Sequence, residues 1–328
     1  MPGVVPQSVR GMVRYNIPDD SVSPKDRGLF SGPAHKAAVD ADVDLFDPET
    51  DPAIIQGPEG LDVQGFTYVK SPSALTLEQW MSGHNVEETY IPEVEALMKE
   101  VTGAKTVVVN HLGIRKRTAT NNTNPTFYRK AGDAHDQAVK NYAGGDKAWV
   151  SGRQDAGLEP ARFAHCDYTL EGLKRTARYC RKDIKAAAQP ALNAEDDPSL
   201  PPQRYAAYSV WRPLKPVKRD PLAVADWRTT PVESLAPIEY RATSNVVDSG
   251  EYMLELYTQT PVAKNSGQRW YCKPNQTPDD VLILKFADTA AATDPAIAGG
   301  CAHCSPALAG VDDEEPRMSV EARVMVFW

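Results

Sequence analysis

Residues Ala161–Gly172 read ARFAHCDYTLEG. The first half alternates as a strand does, which puts His165 and Asp167 on one face and Cys166 on the other. At Thr169 the period changes. TLEGLKRTARYCRKD reads as a helix capped by Thr169, with Glu171 close behind the cap and basic residues at its end. A strand carrying two metal-ligating side-chain types, running straight into a helix, sets the reading of the rest.

C-terminal to it, from Arg204 onward, RYAAYSVWRPL, PLAVADW, IEYRATS, EYMLELYTQ, QRWYCKP, DDVLILKFADT, GGCAHCS and SVEARVMVFW read as strands separated by turn residues. No repeat of fixed period appears. N-terminal to it, IPEVEALMKEVTGA is a helix with Pro near its start and Gly103 at its end, and KTVVVNHLG is a β-branched strand. RKRTATNNTNPTFYRKAGD is a polar loop expected to order over a site. AAAQPALNAEDDPSLPPQ reads as a linker or insertion, near 184–203. Residues 1–60, rich in Pro, Gly and Asp, read as an extended arm with a short strand at Val13–Ile17, an arm that could exchange between subunits of a homodimer. Residues 61–328 are then one catalytic domain: mainly β with flanking helices, an antiparallel barrel or sandwich with a helical layer.

Bulk properties narrow the function. The 328 residues are 41% hydrophobic and 24% charged, with net charge -8 and a pI of about 5.4. That is a globular composition with no basic face for phosphates, so nucleic acid is excluded as a partner. No apolar run approaches the ~18 residues of a membrane span. The opening MPGVVPQSVRGMVRYN lacks the apolar centre of a secretory signal. Five cysteines, an odd number, fit a reducing compartment, so the expected location is cytoplasmic.

His165 and Asp167 need a third ligand from a distant strand. Two imidazoles and one carboxylate would leave three neighbouring positions open on Fe(II), enough for a bidentate cosubstrate and dioxygen. His303, in GGCAHCSP, is the leading candidate. Arg317 follows 14 residues later at the start of the last strand, where its guanidinium can fork onto a carboxylate with Ser319 adding a hydroxyl. Arg323 shares that face, but both arginines cannot serve one carboxylate; Arg317 is the expected anchor, and Arg323 an ion-paired residue or a substrate contact. Met325 and Phe327 continue the inward face and either shape a substrate cavity or fill the core. Arg212 and Arg269 either anchor a substrate carboxylate, which would suit a small amino acid, or form structural ion pairs. Tyr168 is placed at the entrance, and His111 within reach of the site. The rival reading uses Cys301 and Cys304 as a zinc knuckle with His165 or Cys166. It lacks a second CxxC and leaves Asp167 and Arg317 without a role. A non-catalytic binding barrel is the other alternative.

AHCDYT, YSVWRPLKPVKRDPLAVADWRT, RWYCKPNQTPDDVLILKFADT, CAHCSPA and PRMSVEARVMVFW, with SPSALTLEQW and YIPEVEALMKEVTGAKTVVVNHLGIRKR, resemble the fungal hydroxylase/desaturase family of non-heme Fe(II)/2-oxoglutarate-dependent oxygenases over roughly residues 60 to 328. The resemblance implies a double-stranded β-helix (jelly-roll, cupin-like) core and an oxidoreductase using Fe(II), 2-oxoglutarate and O2. It carries His165, Asp167 and His303 onto the iron and an arginine of PRMSVEARV onto the cosubstrate. Such an enzyme abstracts hydrogen from an unactivated C–H bond of a small natural product or amino acid, giving hydroxylation, desaturation or oxidative cyclisation. Two departures stand out: Ser209 replaces the usual Asn before VWRP, and HCSP replaces a more usual His-Gly or His-Ser context.

Overall fold

The computed structural model describes residues 7–22, 28–30, 35–119, 148–152 and 158–328. Most of the loop expected to order over a site lies outside them.

The chain forms fifteen strands among the described residues: β1 Ser8–Pro18, β2 His35–Phe46, β3 Phe66–Lys70, β4 Thr106–Arg115, β5 Trp149–Ser151, β6 His165–Cys166, β7 Tyr205–Pro213, β8 Ala223–Ala225, β9 Leu235–Thr243, β10 Glu251–Gln259, β11 Trp270–Tyr271, β12 Asp280–Asp288, β13 His303–Cys304, β14 Ala307–Leu308 and β15 Ser319–Phe327. One sheet has nine strands in the order β14-β1-β2-β11-β8-β13-β6-β10-β9; the other has six, β3-β12-β7-β15-β4-β5. Nearly all the pairings are antiparallel; β2 with β11 and β4 with β5 are parallel. Two sheets facing across a shared core give the jelly-roll layering expected.

Three apolar clusters hold the layers. Phe66, Trp211, Leu284, Phe286 and Met325 of the six-stranded sheet meet Val224, Leu254 and Tyr271 of the nine-stranded one. On the outer face of the six-stranded sheet, helix α1 (Ile91–Thr102) lays Val94 and Met98 against Val107, Val210 and Val324. Its Pro lies in the first turn and Gly103 adopts φ 68° at its end, a left-handed stop that glycine permits. The other face of the nine-stranded sheet buries Val13, Tyr15, Ala223, Ala225 and Trp270.

Two segments differ from expectation. The described part of the N-terminal arm is a long hairpin, β1 paired with β2 and extended into the sheet through β14 and β11. The acidic residues that made β2 look unstructured face solvent opposite basic partners: Arg10 meets Asp44 at 3.0 Å and Arg14 meets Asp40 at 2.7 Å, each directly across the ladder. The supposed linker is largely helix α3 (Lys182–Asp196), which tolerates Pro190 and buries Ile184, Ala188, Ala191 and Leu192 along one side. Those apolar positions at helical spacing outweigh the proline.

Helix α2 (Leu170–Tyr179) follows β6 directly. Thr169 caps it, accepting from Gly172 N at 2.9 Å while its hydroxyl donates to Glu255 Oε1 at 2.6 Å. The helix therefore sits hard against β10. A Cβ on Gly172 would lie 2.0 Å from the Glu255 carbonyl oxygen. Gly172→Ala should force the helix off the sheet and destabilise the protein by about 1–3 kcal/mol, read as a fall in the urea midpoint; an unchanged midpoint would mean the contact has slack.

Candidate metal centre

His165 and His303 stand on adjacent short strands as direct partners across the β6–β13 ladder. Strands of two residues hold because β6 is flanked by β10 and β13, and β13 by β8. Asp167 lies just past β6, where the chain turns towards Thr169. The His165 Nδ1 donates to Phe163 O at 2.8 Å and the His303 Nδ1 donates to Cys301 O at 3.0 Å. A carbonyl only accepts, so each Nδ1 carries the hydrogen and each Nε2 keeps a free lone pair. The rings approach to 4.4 Å between centroids. Asp167 Oδ1 is 3.9 Å from His165 Nε2, and Oδ2 is 3.8 Å from His303 Nε2. One donor atom from each of the three lies within 4.8 Å of the others, the one such group of possible metal ligands among the described residues. Burial, then repulsion from His303, pushes the His165 pKa down to about 4, against the opposing pull of Asp167. The imidazole is neutral at pH 7, the form that binds metal.

The zinc-knuckle alternative does not form. Cys301 turns into the core between the sheets and Cys304 into the other cluster, the Cys301 thiol lying against the Ala225 carbonyl. Burial raises the thiols of Cys166, Cys301 and Cys304, and none of them belongs to a group of possible metal ligands among the described residues.

A small enclosed cavity runs from the two histidines to Arg317, lined also by Arg115, Ser209, Trp211, Leu222 and Glu321. Arg317 is buried and donates to Asp220 O at 2.5 Å and Ser305 Oγ at 3.3 Å. Asp220 takes φ 51°, turning that carbonyl inward, and Arg162 holds its carboxylate at 2.7 Å. The Arg317 Nε and Ser319 Oγ are buried with no hydrogen-bond partner among the described residues. Burial and nearby Arg115 push the Arg317 pKa down to about 9, so an anion placed beside it would be strongly favoured.

Arg323 does not join Arg317. Its Nη2 donates to Asp167 Oδ1 at 3.1 Å and its Nε faces Glu321 Oε1 at 3.5 Å. Glu321 lies two positions before Arg323 on the same strand face and was missed, as was Phe286, whose ring stacks on His303 at 5.8 Å. Burial alone would raise Glu321, but Arg323 and Arg115 outweigh it and hold the carboxyl well below its usual range. Tyr168 packs edge-on against Phe286 at 5.7 Å. Met325 and Phe327 fill the core, Phe327 stacked on Tyr205. Arg212 faces the other side of β7, donating to Ser71 O and Pro278 O beside Tyr90. Arg269 pairs with Asp51 at 2.6 Å and with the Tyr271 hydroxyl. Neither arginine reaches the cavity, because alternation and ion pairing commit both elsewhere. His111 is the register partner of Arg323 on β4, and its Nε2 lies 3.0 Å from Ser151 Oγ.

Residues 55–327 match the family model described as YDMC: Oxidoreductase/YMDC permease-like domain. The Gibberellin cluster GA4 desaturase of Gibberella fujikuroi is 30% identical over 291 residues, covering 82% of each chain. The chain belongs to the fungal hydroxylase/desaturase family of Fe(II)/2-oxoglutarate-dependent oxygenases. The Fe(II)/2-oxoglutarate-dependent dioxygenase nvfI of Aspergillus novofumigatus is 29% identical over 272 residues, 81% of this chain and 77% of that one. A solved structure of the iron and alpha-ketoglutarate-dependent endoperoxidase NvfI shares the fold, with a TM-score of 0.62 and 24% identity over 98% of both chains. The chain is therefore an Fe(II)/2-oxoglutarate-dependent dioxygenase, with Fe(II), 2-oxoglutarate and O2 as its cofactors. The donor set fits ferrous iron: two neutral imidazole nitrogens and one carboxylate, with a buried guanidinium in the adjoining cavity. No helix among the described residues is long and apolar enough to cross a membrane.

The depressed His165 makes a signed prediction for the metal-free protein. The unfolded chain takes up a proton at His165 near pH 6.5 and the folded one only near pH 4. Stability should therefore fall as pH drops from 6.5 towards 4, by about 3 kcal/mol in all from this group. His165→Asn should flatten the pH dependence of the urea midpoint; an unchanged slope would place the loss elsewhere.

Proposed function

We propose that His165, Asp167 and His303 hold the iron and that Arg317, assisted by Ser319, anchors the far carboxylate of 2-oxoglutarate. The observation that carries this reading is the pair of Nδ1-pinned imidazoles facing a carboxylate, next to a cavity that ends in a buried guanidinium with an unpartnered Nε. The iron and cosubstrate supply the power to break a C–H bond; the chain supplies placement. Phe163 and Cys301 carbonyls fix both tautomers, Asp220 aims Arg317, and the walls of Trp211 and Leu222 exclude water from the cosubstrate.

The substrate approaches from the side of Asp167 and Arg323, where Tyr168, Tyr240 and Phe286 gather. Arg212 and Arg269 are committed elsewhere, so neither is available there for a substrate carboxylate. A largely apolar natural product thus fits better than an amino acid. The five free cysteines, four of them buried, accord with work in the reducing cytoplasm. The β1–β2 hairpin is read as an integral part of one catalytic domain.

Titrating 2-oxoglutarate against the Fe(II) enzyme, with succinate release and O2 uptake as readouts, tests the anchor. Arg317→Ala should raise its apparent dissociation constant at least tenfold, whereas Arg323→Ala should chiefly alter turnover. The assignment fails if only Arg323→Ala weakens 2-oxoglutarate binding.

A further inference from the structure

Two charged side chains of the cavity touch neither the proposed iron ligands nor the proposed 2-oxoglutarate anchor directly. Arg115, at the end of β4, and Glu321, on β15, line the same space as His165, His303 and Arg317. Arg115 Nη2 lies 3.3 Å from Glu321 Oε2, and its Nη1 donates to Glu159 O at 2.6 Å. The other Glu321 oxygen faces Arg323 Nε at 3.5 Å, and Arg323 in turn holds Asp167 Oδ1 at 3.1 Å. Charges alternate along this file from Arg115 to Asp167, and the side chains are no more than 26% exposed.

A carboxylate is an odd lining for a cavity proposed to receive a dicarboxylate. At the short range and low dielectric of such a site, repulsion between Glu321 and an entering dianion is costly. Arg115 offsets it. Of the charges lining the cavity, Arg115 and Arg317 outnumber Glu321; without Arg115 that surplus is lost, because Arg323, the other partner of Glu321, is shared with Asp167. Glu321 has its own reason to be there, since it faces the guanidinium that grips Asp167.

We propose that Arg115 is the residue that makes the cavity receptive to a dicarboxylate, acting through Glu321 by neutralising it rather than by gripping the cosubstrate itself. This rests on the cosubstrate reading above. Arg115 is then a positioning and specificity residue, and Glu321 the buried charge that makes it necessary.

The test is a double-mutant cycle on 2-oxoglutarate binding to the Co(II)-loaded protein, followed by calorimetry so that turnover plays no part. Arg115→Gln should raise the dissociation constant at least tenfold. Adding Glu321→Gln in the same chain should restore it to within about threefold of wild type, and Arg115→Lys should retain most of the affinity. Glu321→Gln alone, which leaves Arg115 in place, should bind at least as tightly as wild type. Recovery of more than half the loss on a logarithmic scale supports the charge-balance role. Less recovery, or a tenfold weaker Glu321→Gln single variant, overturns it in favour of direct contact or local structure. Arg317→Ala and His303→Ala serve as controls. If neither changes 2-oxoglutarate or Co(II) binding, the cosubstrate reading itself has failed, and the two failures remain distinct.

Discussion

The site depends on two hydrogen bonds that act at a distance from the metal position. Each imidazole gives its Nδ1 hydrogen to the carbonyl two residues before it, Phe163 for His165 and Cys301 for His303. Those bonds choose the tautomer, fix the ring planes and aim both Nε2 lone pairs into one gap. Both donors sit on two-residue strands that are partners in one ladder, so their separation is set by the sheet rather than by flexible loops. Everything else in the centre is arranged around that rigid pair.

Around it, charge is organised in two ways. Arg317 is held by neutral acceptors, the Asp220 carbonyl and the Ser305 hydroxyl, and so retains its appetite for an anion. Arg323 is instead flanked by Asp167 and Glu321; burial would lower its pKa, but the two carboxylates outweigh it and raise it. Two arginines six residues apart thus reach opposite electrostatic states. The difference arises from their neighbours on other strands.

Much of this was legible in the residues. Alternation placed His165 with Asp167 and away from Cys166, and the same rule put Ser319, Arg323, Met325 and Phe327 on the inner face of β15. Applied evenly, it would also have exposed Glu321, which shares their parity, and would have turned Arg212 outward, since Ser209 and Trp211 line the cavity. The ion pair of Arg269 with Asp51 joins residues 218 apart and leaves no local mark. The hairpin at the N-terminus was obscured because the acidic residues of β2 look disordered until Arg10 and Arg14 are seen opposite them. Pro190 hid α3 in the same way: the local rule spoke against a helix that tertiary burial stabilises.

The most direct measurement is the visible spectrum of the protein mixed anaerobically with Fe(II) and 2-oxoglutarate. Iron held by His165, Asp167 and His303 should give a weak metal-to-ligand charge-transfer band that disappears in His165→Ala, Asp167→Ala and His303→Ala and persists in Cys301→Ser and Cys304→Ser. A band that survives loss of His303, or that needs either cysteine, would contradict this ligand set.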